Sequence, residues 1–170
     1  HSIDKGGINI PHIANYVKSL KLTWLKKCYI ESFNAKWKQI LFSVCPEANM
    51  LQEYGPVVLK ACNGMVNPFW KDVFHAYMDF YDKLPVNTSE DFLMEPLFFN
   101  NKFKIDGKAF YFENWTDNGV YFVKDLIKEN GTFLNLQEFK AQFNIEVPFL
   151  DFFGCVSSVK SFIRKNNINL

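Results

Sequence analysis

The chain has 170 residues, 48% hydrophobic and 22% charged, with a net charge of +1. That composition is globular, fills one core or two small ones, and excludes a disordered chain. No apolar run reaches the roughly 18 residues of a membrane span, and the N-terminus lacks the apolar core of a secretory signal.

Ile13, Tyr16, Val17, Leu20 and Trp24 recur at i, i+3, i+4, i+7 and i+11, which predicts a helix from about Pro11 to Tyr29 with that stripe turned inward. Pro11 suits the first helical position, where its missing N–H costs nothing. Lys18 and Lys26 point away from the stripe, and Lys21 and Lys27 flank it. A second helix is expected from about Asn34 to Val44, with Trp37, Ile40, Leu41 and Val44 as its apolar face and Pro46 as its stop. Pro56 to Cys62 reads as a short helix stopped by Gly64. The next runs from Pro68 to about Lys83, with Phe69, Val73, Phe74, Tyr77 and Tyr81 on one face and Pro85 closing it.

The polar stretch 84–91 is the best candidate boundary, dividing a helical region 1–84 from a second region 90–170. Beyond it, Asp106-Gly107 between two β-prone runs predicts a β-hairpin near 103–112. Helical pattern then returns: a turn at Glu113 to Asn118 stopped by Gly119, a helix from Val120 to Glu129 capped by Asn130-Gly131, and a helix opened by the Asn135/Glu138 capping pair. Pro148 opens the last helix, which reaches about Lys165. The fold class is therefore mainly α with a minor β component.

The aromatic surplus, with 19 phenylalanines, is read chiefly as core. The four cysteines, Cys28, Cys45, Cys62 and Cys155, form no CxxC and lack zinc-ligand spacing to any histidine, so they are expected as buried reduced thiols. That usage suits a cytosolic or nuclear protein. The chain starts at His1, which reads as the start of a fragment or processed product.

No catalytic constellation emerges. A polymerase palm holds two Mg²⁺ on paired acidic residues, but Tyr77-Met78-Asp79-Phe80 and Phe80-Tyr81-Asp82-Lys83 each offer a single Asp in helical periodicity. GxSxG, HExxH and Walker patterns are absent. Gly6-Gly7 lacks dinucleotide-binding spacing and suits a backbone hinge. Neither a cofactor, a metal nor a small-molecule ligand is expected.

Charge supplies the one working surface. Residues 1–45 carry seven lysines against Asp4 and Glu31, whereas residues 46–99 carry three lysines against eight acids. Lysines interleaved with Tyr16, Trp24, Tyr29 and Trp37 suit either a polyanion-binding surface or an ordinary solvated helix face.

Lys5-Gly6-Gly7-Ile8-Asn9-Ile10-Pro11 resembles the segment that opens the thumb in reverse transcriptases of LINE-type (non-LTR) retrotransposons. Asn67-Pro68-Phe69-Trp70, Glu95-Pro96-Leu97-Phe98-Phe99-Asn100-Asn101, Ile105-Asp106-Gly107-Lys108, Trp115-Thr116-Asp117-Asn118-Gly119 and Asn130-Gly131-Thr132-Phe133 follow in an order similar to the region after the polymerase core of those polyproteins. In the segment Glu95 to Asn101, Phe stands where the family usually has Trp. The resemblance implies a non-catalytic thumb and linker fragment of an RNA-directed DNA polymerase, whose parent copies its RNA at a nicked chromosomal target. It implies an RNA–DNA or DNA duplex and the rest of the polyprotein as partners. By region and charge, Lys18, Lys21, Lys26 and Lys27 are the candidate backbone contacts, with Lys36 and Lys38 secondary. The alternative is a structural or protein-interaction module, a decayed or adopted transposon remnant that binds no nucleic acid.

Overall fold

The computed structural model describes residues 12–30, 35–58 and 67–169. The protein is mainly helical, without an extended sheet among those residues. The helices are α1 (Ile13–Cys28), α2 (Lys36–Val44), α3 (Leu51–Tyr54), α4 (Pro68–Tyr81), α5 (Ser89–Leu93), α6 (Glu113–Asp117), α7 (Leu136–Phe143) and α8 (Phe149–Asn166). Tighter 3₁₀ turns occupy Pro46–Met50, Gly55–Val58 and Val123–Leu126. The Lys5 to Pro11 motif, the Gly6-Gly7 hinge, Asn34, Cys62 and Gly64 lie outside the described residues.

Local chemistry sets the ends of the longer elements. The Asn67 side chain accepts from the Phe69 and Trp70 amides and Pro68 occupies the first turn of α4, so two donors without helical partners are satisfied. Asn135 and Glu138 make a reciprocal capping box on α7, and Asn144 closes that helix in the left-handed region at φ 51°. A second capping box, Thr88 with Asp91, opens α5 inside the stretch that the sequence presents as a polar connection.

The expected hairpin shrinks to its turn. Asp106 and Gly107 take φ 51° and 76°, and Ile105 and Lys108 exchange two hydrogen bonds at 3.0 Å. The ladder ends there because the flanking backbone is engaged elsewhere. The Phe103 amide donates to Asn100, and the Phe110 carbonyl accepts from Phe99. The helix expected over Val120 to Glu129 does not form. The Asp125 carboxylate accepts from the Tyr121 and Phe122 amides at 2.8 Å each and folds this segment into the 3₁₀ turn at Val123–Leu126. Asn130-Gly131 is a tight turn bridged from Lys128 to Thr132, not a helix cap.

One buried cluster runs from Leu25 to Val159 and takes residues from both sides of the 84–91 stretch. Phe92, Phe98, Phe103 and Phe139 are fully buried, and Trp115 lies among Phe98, Phe112, Phe139 and Phe152 with ring centroids 4.7 to 6.4 Å away. This is where much of the phenylalanine surplus goes. Cys28, Cys45 and Cys155 are buried. Burial pushes the Cys28 thiol up to about 11 and Cys155 beyond any ordinary thiol value.

The two regions meet through a buried polar knot as well as through rings. Lys102 Nζ donates to Glu95 Oε1 at 2.6 Å, with both side chains under a tenth exposed. Asn100 Nδ2 donates to the other Glu95 oxygen at 2.9 Å and to the Pro96 carbonyl at 2.8 Å. The Lys102 ammonium also sits 5.2 Å from the ring centroid of Tyr81 on α4. Burial, reinforced by the Glu95 carboxylate, pushes the Tyr81 phenol far above its ordinary value. Tyr54 stacks on Phe122, and Gly55 approaches Pro96.

Candidate nucleic-acid interface

The lysine-bearing helix α1 lies along α4, and α2 meets the start of α4 through Trp37 and Trp70. As numbers rise along α1 they fall along α4: Lys18 meets Asp79, Lys21 meets Asp72 and Trp24 meets Phe69. The two helices therefore run antiparallel.

The face that α1 turns toward α4 is not the one its periodicity predicts. Leu25 and Cys28 are its buried residues, with Lys18, Lys21 and Leu22 half-buried beside them. The stripe expected inside is outside: Ile13 is 75% exposed, Tyr16 56%, Val17 41%, Leu20 48% and Trp24 37%. The buried side lies roughly 120° round the helix from that stripe. Ring contacts and ion pairs accompany this orientation, with Trp24 against Trp37 and Phe69. Lys18 and Lys21 reach carboxylates one heptad apart on α4, which an inward Leu20 stripe would leave unpaired. The α2 face is split in the same manner, with Leu41 buried but Ile40 and Val44 exposed.

The six candidate lysines differ in their partners. Lys18 pairs with Asp79, whose carboxyl is held below the usual carboxylate range by the hydrogen bond from Lys18. Lys21 pairs with Asp72 at 3.0 Å. Both acids are more than half exposed, so each pair contributes only about 0–1 kcal/mol. Lys38 donates to the Ile30 carbonyl at 3.0 Å. Lys27 lies over the Trp24 ring, 5.2 Å from its centroid. Lys26 lines the rim of a cavity of about 490 Å³ between α1, α3 and α4, with Leu22, Leu51, Gln52, Tyr77 and Phe80 among its walls. Lys36 is exposed at the start of α2. Among the described residues neither Lys26 nor Lys36 has an acid partner.

Beside Lys27 the three helices are joined by indole and phenyl rings. Trp24 meets Trp37 at 5.3 Å and Phe69 at 5.6 Å, both edge to face. Trp37 meets the buried Trp70 at 5.5 Å, and Phe69 meets it at 5.1 Å. Two rings are thus held on a firm base while Trp24 and Phe69 remain more than a third exposed.

Sequence reasoning missed the acids that matter. Asp79 reads as a solvated carboxylate, yet Asp72 and Asp79 share one face of α4 at heptad spacing, opposite two lysines three apart on α1. That complementarity was the available signal. Glu95 and Asn100 lie within the apolar Glu95 to Asn101 motif with Lys102 just after it, and an acid and an amide within an apolar run point to a buried pair. No protein-family model, curated protein or solved structure matches the chain.

Proposed function

We propose that this chain is a non-catalytic, backbone-gripping portion of a retroelement RNA-directed DNA polymerase, binding a template–primer duplex through α1 and α2. The observation that carries the reading is the charge of Lys26 on α1 and Lys36 on α2, both exposed and without an acid partner among the described residues. Ammonium groups of this kind replace condensed counterions along phosphates without reading sequence. Lys18 and Lys21 become reserve contacts, because a phosphate has to displace Asp79 or Asp72 to reach them.

The test is titration of a labelled RNA–DNA duplex at several salt concentrations. Lys26→Ala and Lys36→Ala should each lower the slope of log affinity against log salt by about 0.9. Unchanged affinity and slope in the double variant, at unchanged helicity, would discard the reading.

A protein-interaction module is the second reading, and the exposed stripe Ile13, Tyr16, Val17 and Leu20 favours it. It entails no salt-dependent duplex binding, together with self-association detectable by light scattering.

A further inference from the structure

We infer that the exposed rings Trp24 and Phe69, with Tyr16 two turns along α1, form a stacking track for the bases of an unpaired nucleic-acid strand. The inference rests on the nucleic-acid reading above and adds a second mode to it, since a duplex presents phosphates but keeps its base faces covered.

Three observations lead here. The rings are exposed yet fixed: Trp24 and Phe69 lean edge to face on each other, and Phe69 also on the buried Trp70. A ring already held in place loses little rotamer freedom when a base stacks on it. Cations accompany the rings. Lys27 lies over Trp24, and Lys36 precedes Trp37, which touches Trp24. A rigid aromatic surface beside ammonium groups suits a strand whose bases stack while its phosphates are neutralised. Spacing also fits: Tyr16 and Trp24 are eight residues apart within the exposed stripe of α1, roughly 80° apart round the helix and roughly 12 Å along it, which spans about two nucleotides of an extended strand. An apolar partner protein would use the aliphatic members of the same stripe, Ile13, Val17 and Leu20, and would draw nothing from Lys27 or Lys36.

The experiment compares a labelled 20-nucleotide thymidine strand with a 20-base-pair RNA–DNA duplex, both titrated against the full chain at one salt concentration. Trp24→Ala and Phe69→Ala should each weaken single-strand binding about tenfold and leave duplex binding within about twofold. Trp24→Phe should restore most of the single-strand loss, which a merely structural role for the indole would not produce. Phe69→Leu provides a variant that keeps apolar volume near the start of α4 if a truncation to alanine does not fold.

Equal affinity of all ring variants for the single strand would overturn the stacking track while leaving the duplex reading intact. A parallel loss on strand and duplex would overturn it also, since it would mark a general effect on α1. Binding of neither nucleic acid by the unaltered chain would end both readings. Self-association abolished by Trp24→Ala, with no single-strand binding, would assign the rings to a protein contact instead.

Discussion

Asp72 and Asp79 each hold a lysine that could otherwise meet a phosphate, so removing either carboxylate should strengthen duplex binding. Asp72→Asn and Asp79→Asn are expected to raise affinity and to steepen the salt slope by up to about 0.9 each, read by the same titration. Stability should change by less than about 1 kcal/mol, since both pairs are exposed. The sign with pH follows from the depressed Asp79 carboxyl: its pairing energy is present above the ordinary aspartate pKa and is lost as pH falls through the lowered one. Gly55 behaves oppositely. It sits at φ 61°, and an added Cβ would meet Pro96 at 2.9 Å. Gly55→Ala should therefore cost roughly 1–3 kcal/mol in denaturant unfolding, through positive φ and a ring that has little room to yield. Its role was not legible in the sequence, because the approach of residues 55 and 96 is a long-range event.

Elements were legible to the degree that their signals are local. The α7 helix carries Asn, Glu and a left-handed Asn in one short run, and each does in the fold what its chemistry suggests. Asn135→Ala should remove about 1 kcal/mol, measurable as a lowered melting temperature. The Glu138 carboxyl is held down by the Asn135 amide and by Lys128, so the box loosens as acid protonates it and is intact above the ordinary glutamate range. Where a segment's fate depends on a distant partner, periodicity failed. It identified α1 as a helix but gave its apolar stripe the wrong side, since which side turns inward depends on distant partners on α2 and α4. It gave 120–129 a helical pattern that Asp125 interrupts by capturing two amides. The Asp106-Gly107 turn was legible and the strands beside it were not, because their backbone groups are engaged by Phe99 and Asn100.

At the scale of the whole molecule, both the mainly α character and the separation of basic from acidic segments can be read from composition and order. Folding then brings the acids of α4 against the lysines of α1, so a separation along the chain becomes partial cancellation in space. The single buried cluster and the Glu95–Lys102 pair under the Tyr81 ring tie residues 67–169 together. Lys102→Met alone should cost about 3–5 kcal/mol by leaving a buried carboxylate unmatched, whereas Lys102→Met with Glu95→Leu should recover much of it; chemical denaturation compares the two.

The attachment of α1 has its own outcome. Two solvent-facing ion pairs, the Trp24 contacts to Trp37 and Phe69, and a narrow buried contact at Leu25 and Cys28 hold sixteen residues that are otherwise largely exposed, so this helix should open before the Phe-rich centre does, and electrolyte should loosen its ion pairs. Amide protons of α1 should exchange sooner than those of α7 or α8, by a margin that widens between dilute and molar sodium chloride. A binding curve taken over the same range would then bend downward at its upper end, because the gripping surface itself comes undone.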